Sequence, residues 1–235
     1  MNGVLAVYGK EIKLYFRSPI AYFILAVFLL GTGYFFSYNL FVSGLATMRE
    51  TFQNMGLLAV ILLPAVSMRL FATEYSAGTY ELLATLPLAP WEVVVGKYLG
   101  ALTMLGLMAL GTMLDLVPLY LFGAPETTTI ISGYLGFLLL GSTCLAIGQL
   151  CSSLTQNQIV AALVTVSILL GFWFVGHLQS FQTVQFLREL FLNISFAWHF
   201  GEFIEGLARF ESLALFVLFS VGALILNVCA LEWRR

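Results

Sequence analysis

Charged residues are scarce in this chain of 235 residues. Only 9% of the residues are Asp, Glu, Lys or Arg, whereas 60% are hydrophobic. A soluble globular domain carries about 25% charged residues, so this composition excludes an ordinary soluble enzyme or binding domain. The ten basic residues are dispersed along the chain and the net charge is -2, which gives no support for nucleic-acid binding.

The chain also lacks the usual signatures of a catalytic or metal site. Of its three cysteines, Cys144 and Cys151 lie seven residues apart in an apolar run, as packing residues do more often than metal ligands. The two histidines, His177 and His199, lie 22 residues apart, and we predict neither a metal site nor a cofactor. No P-loop of the form GxxxxGKS or GxxxxGKT is present. We therefore predict that the chain is not an enzyme and does not itself bind ATP.

Long apolar runs fill the sequence instead. At about 20 residues per helical crossing, they predict an all-α, polytopic integral membrane protein that forms one permease-like domain over residues 1–235. The predicted spans are 20–41, 55–68, 91–122, 130–152, 159–176 and 212–231. With both termini in the cytoplasm, seven basic residues lie inside and three outside, which follows the positive-inside tendency.

Two amphipathic segments lie outside these spans. Residues 1–18 repeat apolar residues at helical spacing beside basic ones, which predicts an N-terminal helix in the membrane interface. Residues 177–211 mix charged and aromatic residues and predict one or two amphipathic helices that lie at the outer surface or dip partway into the membrane. Their aromatic residues form either a membrane-interface belt or an outer gate or accessory-subunit contact that includes Trp198, His199 and Phe203.

A third segment, residues 71–90, is the longest polar interruption in the first half of the chain. One face of a predicted helix, which Pro87 and Pro90 end, carries Phe71, Tyr75, Gly78, Leu82 and Leu86. Such a helix would lie along the cytoplasmic membrane surface between spans two and three. It is either a docking element for a soluble partner or a connector that only packs on the bilayer.

Asp115 is the acidic residue that lies deep within an apolar run. Placing a carboxylate in lipid costs about 2.5 to 3.5 kcal/mol on insertion scales, so such a residue faces protein or water. Two interpretations stay open. Asp115 is part of a translocation path, or it caps a polar pocket near the outer end of the third span.

The polar stretch after span two has residues in a recognisable order: Arg69, Glu74, Gly78, Thr79, Glu81, Leu82, Leu83, Leu86, Pro87, Trp91, Gly96 and Lys97. This order resembles the cytoplasmic signature of the permeases of ATP-binding-cassette exporters of the second type. The tail, residues 195–235, is similar to permeases of the gliding-motility type, which have the nitrous-oxide-reductase maturation permeases as near relatives.

The resemblance implies a function in which a separate ATPase subunit supplies the energy. In such exporters the helix after the second span is a coupling helix that binds the ATPase. Carried over to this sequence, the resemblance assigns that contact to Glu74, Tyr75, Gly78, Thr79, Glu81 and Leu82.

The resemblance also implies export, or another ATP-driven conformational change, across the bacterial inner membrane. The expected partners are the ATPase, a second copy or a related permease, membrane lipid and, in a gliding-motility-type complex, an accessory subunit with a periplasmic domain. The alternative is a secondary transporter or channel driven by an ion gradient. Such a transporter typically has several intramembrane ionisable residues and broken helices in repeated halves, whereas Asp115 stands alone here.

Overall fold

The computed structural model describes residues 3–42, 47–80, 87–123, 125–176 and 191–233. Within these ranges the regular structure is helical, with ten bounded α-helices and no strand, which confirms the predicted all-α class. The helices are α1 (Gly3–Arg17), α2 (Pro19–Phe41), α3 (Arg49–Ser67), α4 (Arg69–Ser76), α5 (Pro90–Thr112), α6 (Leu116–Phe122), α7 (Thr127–Leu154), α8 (Gln158–Phe174), α9 (Phe196–Ile204) and α10 (Phe210–Glu232).

Five helical stretches are long and apolar enough to cross a membrane. They are Pro19–Phe41, Arg49–Ser76, Pro90–Phe122, Thr127–Leu154 and Phe210–Glu232. The remaining apolar helix, α8, has 17 residues. At 1.5 Å per residue α8 is about 25 Å long, shorter than a hydrocarbon core of about 30 Å. Helix length therefore supports five of the six predicted spans, and the exception is the span predicted at 159–176, which corresponds to α8.

The helices run between two ends of one bundle, which we call the α1 end and the α9 end. At the α1 end, the Gln149 side chain near the end of α7 donates to the Val94 carbonyl near the start of α5, over 2.9 Å. At the α9 end, Arg49 at the start of α3 lies 3.5 Å from Glu126, which precedes α7. α8 begins beside the end of α7, and its Trp173 reaches the α9 end, where it packs against α9.

α3 and α4 form nearly one helix with a break at Met68, so the second helical stretch is longer than the predicted span. The hydroxyl of Ser152 on α7 enters this break. It accepts the N–H groups of Phe71 and Ala72 over 3.1 and 3.0 Å and donates to the Met68 carbonyl over 2.8 Å. A side chain inserted in this way bends a helix while keeping its backbone groups hydrogen-bonded.

We expect Ser152→Ala to lower the free energy of unfolding by about 1 to 3 kcal/mol, because it leaves buried backbone groups without partners. Ser153→Ala is the matched control, since Ser153 is also buried but bonds only to Leu150 in its own helix. The measurement is unfolding in mixed micelles by titration with SDS. Equal losses of unfolding free energy for the two variants would show that the Ser152 hydroxyl does not stabilise the helix break at Met68.

A turn at Ala77 and Gly78 interrupts the helix, which corrects the expectation of a helix continuing from Phe71 through Gly78. The α-helix ends at Ser76, and Gly78 has φ +67° with its N–H directed to the Tyr75 carbonyl at 3.2 Å. This left-handed conformation is accessible to glycine without the steric cost that a Cβ brings. The chain therefore turns at Gly78.

The N-terminal segment is helical, as predicted, and α1 packs across α5. A Cβ on Gly96 would lie 2.7 Å from Val7 Cβ, and one on Gly100 would lie 2.6 Å from Glu11 Cβ. The two glycines, four apart, thus allow the helices to approach closely. α1 buries Val7, Glu11 and Tyr15 against its neighbours. Its exposed apolar residues are Leu5, Leu14 and Phe16.

α9 belongs to the 177–211 segment, which was predicted to lie at the outer surface or to dip partway in, and it packs against α3 and α7. Phe200 packs on Gly56 of α3, and Phe203 packs on Gly136 of α7, where an added Cβ would meet Phe203 Cβ at 2.5 Å. Both aromatic rings are buried. Residues 177–190 of the predicted segment lie outside the described residues.

Candidate functional site

Four charged side chains meet at the α1 end, where α1, α4 and α5 come together. We call Lys10, Glu11, Glu74 and Lys97 the charge cluster. The Lys97 ammonium lies 2.8 Å from Glu11 Oε1 and 3.0 Å from Glu74 Oε1, and it donates to the Leu70 carbonyl over 2.6 Å. The Lys10 ammonium lies 2.5 Å from the same Glu74 oxygen. Lys97 of α5 thereby joins Glu11 of α1 to Glu74 of α4.

The centre of the charge cluster is removed from solvent. Lys97 is 1% exposed, Glu11 5% and Glu74 8%. The three acceptors around Lys97 match the three donors of an ammonium group, and its Nζ also lies 5.0 Å from the centre of the Phe71 ring. Two cations and two anions balance, which satisfies the requirement that buried charges be paired.

Further side chains fasten α1 beside the charge cluster. The Tyr15 hydroxyl donates to the Val66 carbonyl of α3 over 3.2 Å, and Arg69 donates to the Ser18 hydroxyl. Burial, and next the charge of Glu11, raises the pKa of the Tyr15 phenol well above its usual range. Tyr15 therefore remains a neutral donor, and α1 is held by the helices on both sides of the break at Met68.

The comparison with known families covers nearly the whole chain. Residues 21–231 match the model of the family described as ABC-2 family transporter protein. The chain belongs to this family. It is thus a transmembrane component of an ABC transporter and is not itself the catalytic subunit, and the family implies an ABC ATPase partner. No curated protein matches the chain.

In this ABC-2 permease, the residues predicted to contact the ATPase have different environments. Glu74 belongs to the buried charge cluster, whereas Gly78 and Thr79 are exposed. Tyr75 is half-buried, and its ring centre lies 4.6 Å from that of Tyr80. Glu81 and Leu82, the other two residues of this prediction, lie outside the described part of the chain.

Asp115 lies in a 3-10 turn, Met113–Asp115, that separates α5 from α6. Pro118 explains the turn, because it has no N–H for the Leu114 carbonyl and its ring crowds that group. Asp115 is half-buried in the part of the permease nearer the α9 end. Its role in translocation stays a prediction.

The predicted outer-gate residues separate into one exposed and two buried side chains. Trp198 is 47% exposed, whereas His199 is 6% exposed and Phe203 is fully buried. His199 Nδ1 lies 2.8 Å from the Ser212 hydroxyl, which donates to Glu202. Because Ser212 is 0% exposed, this Ser, His and Glu form a structural network that fastens α9 to α10. Of the three predicted residues, Trp198 alone has an exposed side chain.

Sequence reasoning missed most of the charge cluster. Lys10 was assigned to the polar side of α1, and Glu11 received no role. The available signal is that Glu11 lies four residues after Val7 and four before Tyr15, so the three share one face of the helix. The second signal is the position of Lys97 beside a pair of glycines four residues apart.

Proposed function

We propose that this chain is the permease of an exporter whose ATPase binds the exposed turn after α4. The turn comprises residues 77–79 at the α1 end. The observation that carries the proposal is the charge cluster, because Glu74, three residues before the turn, is bound to Lys97 of α5 and Lys10 of α1. A force on the turn therefore acts on α4, α1 and α5 together.

The same force reaches the interior of the bundle. α4 continues from α3, and Ser152 of α7 is hydrogen-bonded across the break between them. Movement of α4 thus displaces α3 and α7, the helices on which α9 rests through Gly56 and Gly136. ATP-driven closure of the partner at the α1 end is in this way transmitted to the α9 end.

We propose six crossings, with α8 as the fifth and both termini in the cytoplasm. α8 extends from the α1 end to the α9 end, and tilt or local thinning of the bilayer accommodates a short helix. α10 begins beside α9 and runs along α7 towards the α1 end, with Ser220 Oγ 3.0 Å from Thr143 Oγ1. This arrangement places the exposed turn and the basic residues of α1 on the ATPase side, where the positive-inside tendency favours them.

The resemblance of the tail, residues 195–235, supports a proposal for the subtype. We propose a gliding-motility-type complex in the bacterial inner membrane, with a second permease copy or a related permease and an accessory subunit on the outer side. The exposed ring of Trp198 is the described candidate for that outer contact.

We expect Thr79→Arg to reduce co-purification of the cognate ABC ATPase at least tenfold. A large side chain on the exposed turn obstructs the docking contact, and disrupting a central interface contact commonly costs about 2 kcal/mol or more. The measurement is the amount of ATPase recovered per tagged permease.

Thr128→Arg provides the matched control, since it makes the same change at an exposed position of the α9 end. It should recover as much ATPase as the wild-type chain. Full recovery with Thr79→Arg would contradict docking at the turn. ATP-independent uptake driven by an ion gradient would instead favour the secondary-transporter hypothesis.

A further inference from the structure

A cavity of about 100 Å³ lies beside the charge cluster, between α1 and the start of α4. Its volume is several times the roughly 10 to 15 Å³ that a cavity needs to hold one water molecule. Leu14 and Leu70 supply its apolar part. The polar residues that line it are Glu11, Tyr15, Arg69, Thr73, Glu74 and Lys97.

Two buried oxygen atoms of the lining are unpartnered within the described residues. They are Glu74 Oε2 and Thr73 Oγ1. The other carboxylate oxygen of Glu74 accepts from both Lys97 and Lys10. Since Glu74 is 8% exposed, an unpaired oxygen there carries a substantial desolvation cost. This part of the cavity is suited to a ligand group with several N–H donors.

A second part of the cavity is suited to an anion. Arg69 uses one guanidinium nitrogen for the Ser18 hydroxyl, and a guanidinium has five N–H donors in total. Its planar arrangement of donors matches the oxygens of a phosphate. The charge cluster is balanced without Arg69, so Arg69 is a lining cation that a phosphate can neutralise.

α1 brings this cavity close to the expected lipid surface. Leu14 is 50% exposed and Phe16 is 50% exposed, and both lie on the amphipathic helix that is expected in the membrane interface. A ligand with acyl chains can therefore place its polar group in the cavity while its chains remain beside these apolar residues.

We propose that the cavity binds the headgroup of an aminophospholipid of the phosphatidylethanolamine type. Its primary ammonium donates to Glu74 Oε2 and Thr73 Oγ1, and its phosphate accepts from Arg69. These three residues all lie on α4, so the headgroup occupies the side of α4 that faces α1, next to the charge cluster. A choline headgroup does not fit this assignment, because its quaternary ammonium has no N–H to donate.

The test compares lipids retained by the intact chain, purified with its ATPase partner. The complex is delipidated and placed in nanodiscs containing equal amounts of phosphatidylethanolamine and phosphatidylcholine with identical acyl chains. Native mass spectrometry then counts the lipids retained after release from the disc. We expect one phosphatidylethanolamine per permease chain, retained at least tenfold over phosphatidylcholine.

Two variants test the assigned contacts. Thr73→Val keeps the side-chain shape but removes the hydroxyl, and Arg69→Gln removes the cation. Thr73→Val should reduce the preference for phosphatidylethanolamine at least fivefold. Arg69→Gln removes the cation that binds a phosphate common to both lipids, so it should reduce the total lipid retained at least fivefold. Arg49→Gln, at the exposed α9 end, should leave both quantities unchanged. Thr73→Val does not alter the Arg69–Ser18 bond, so it tests the site even if Arg69→Gln disturbs the contact between α1 and α4.

Three outcomes would overturn the proposal. Equal retention of the two lipids would show that the cavity does not select a primary ammonium. Unchanged selectivity in Thr73→Val together with unchanged lipid retention in Arg69→Gln would place the retained lipid elsewhere. Soluble O-phosphorylethanolamine that displaces the retained lipid at equimolar concentration would assign the cavity to a free amine phosphate. None of these measurements depends on where the ATPase docks, so failure here leaves the proposed function standing.

Discussion

Lys97→Met is expected to lower the free energy of unfolding by about 3 to 5 kcal/mol, the range found when one partner of a buried ion pair is removed. The substitution keeps a long, flexible side chain but leaves Glu11 without a cation. It also removes the donor to the Leu70 carbonyl. Titration with SDS in mixed micelles measures the loss, and the midpoint of thermal unfolding in detergent should fall with it.

A second substitution shows whether charge balance causes this loss. In Lys97→Met with Glu11→Gln, Lys10 and Glu74 remain as a balanced pair. We expect the double variant to recover at least half of the lost stability. Recovery stays incomplete because the Leu70 carbonyl still lacks its donor.

An exposed cation is the control for Lys97. Arg49 is paired with Glu126, but both side chains are largely exposed, at 51% and 75%. Arg49→Met should therefore cost about 1 kcal/mol or less, as exposed ion pairs do. A Lys97→Met variant as stable as the Arg49→Met variant would show that the charge cluster does not hold α1, α4 and α5 together. The same conclusion would follow if the Lys97→Met, Glu11→Gln double variant were less stable than Lys97→Met alone.

The architecture was largely predictable because a bilayer restricts the chain to a few solutions. A crossing segment must satisfy its backbone internally, and long apolar runs therefore become helices. The helix of residues 3–17 and the start of α5 at Pro90 follow from local signals of periodicity and proline position. The second span was predicted too short because its polar continuation, α4, is buried by contacts with α7 and α8.

The charge cluster was not predictable in this way, since its members are distant in the sequence. Lys97 and Glu11 are 86 residues apart, and without the fold an isolated Glu or Lys is best interpreted as solvated. Hydropathy gives little help in a membrane protein, because lipid-facing and protein-facing residues are both apolar. The exposed Leu5 and buried Val7 of α1 illustrate this.

The glycines mark the helix contacts of this fold more clearly than the apolar residues do. Gly96 and Gly100 define where α1 crosses α5, and Gly56 and Gly136 define where α9 enters the bundle. The sequence alone does not distinguish such contact glycines from others. Gly106 belongs to the same helix as the first pair, but a Cβ there would meet nothing within 4 Å among the described residues.

This contrast between Gly100 and Gly106 gives the second large expected effect. Gly100→Leu should lower the free energy of unfolding by about 3 kcal/mol, the upper part of the usual range for overpacking. Its Cβ alone would lie 2.6 Å from Glu11 Cβ, so α1 must move away and Glu11 must separate from Lys97. The measurements are SDS titration and the rate of limited trypsin cleavage within α1, which should rise as the helix is released.

Gly106→Leu separates this contact from the general effects of the substitution. Both positions are interior to α5, so replacing glycine improves helix propensity at each by about 0.5 to 1 kcal/mol. With open space around its Cβ, Gly106→Leu should keep wild-type stability or exceed it, and the trypsin cleavage of α1 should not change. If Gly100→Leu releases α1 and also abolishes ATPase-dependent transport while ATPase binding persists, then α1 and the charge cluster act after docking. If Gly100→Leu and Gly106→Leu behave alike, close packing of α1 on α5 is not what positions Glu11 against Lys97.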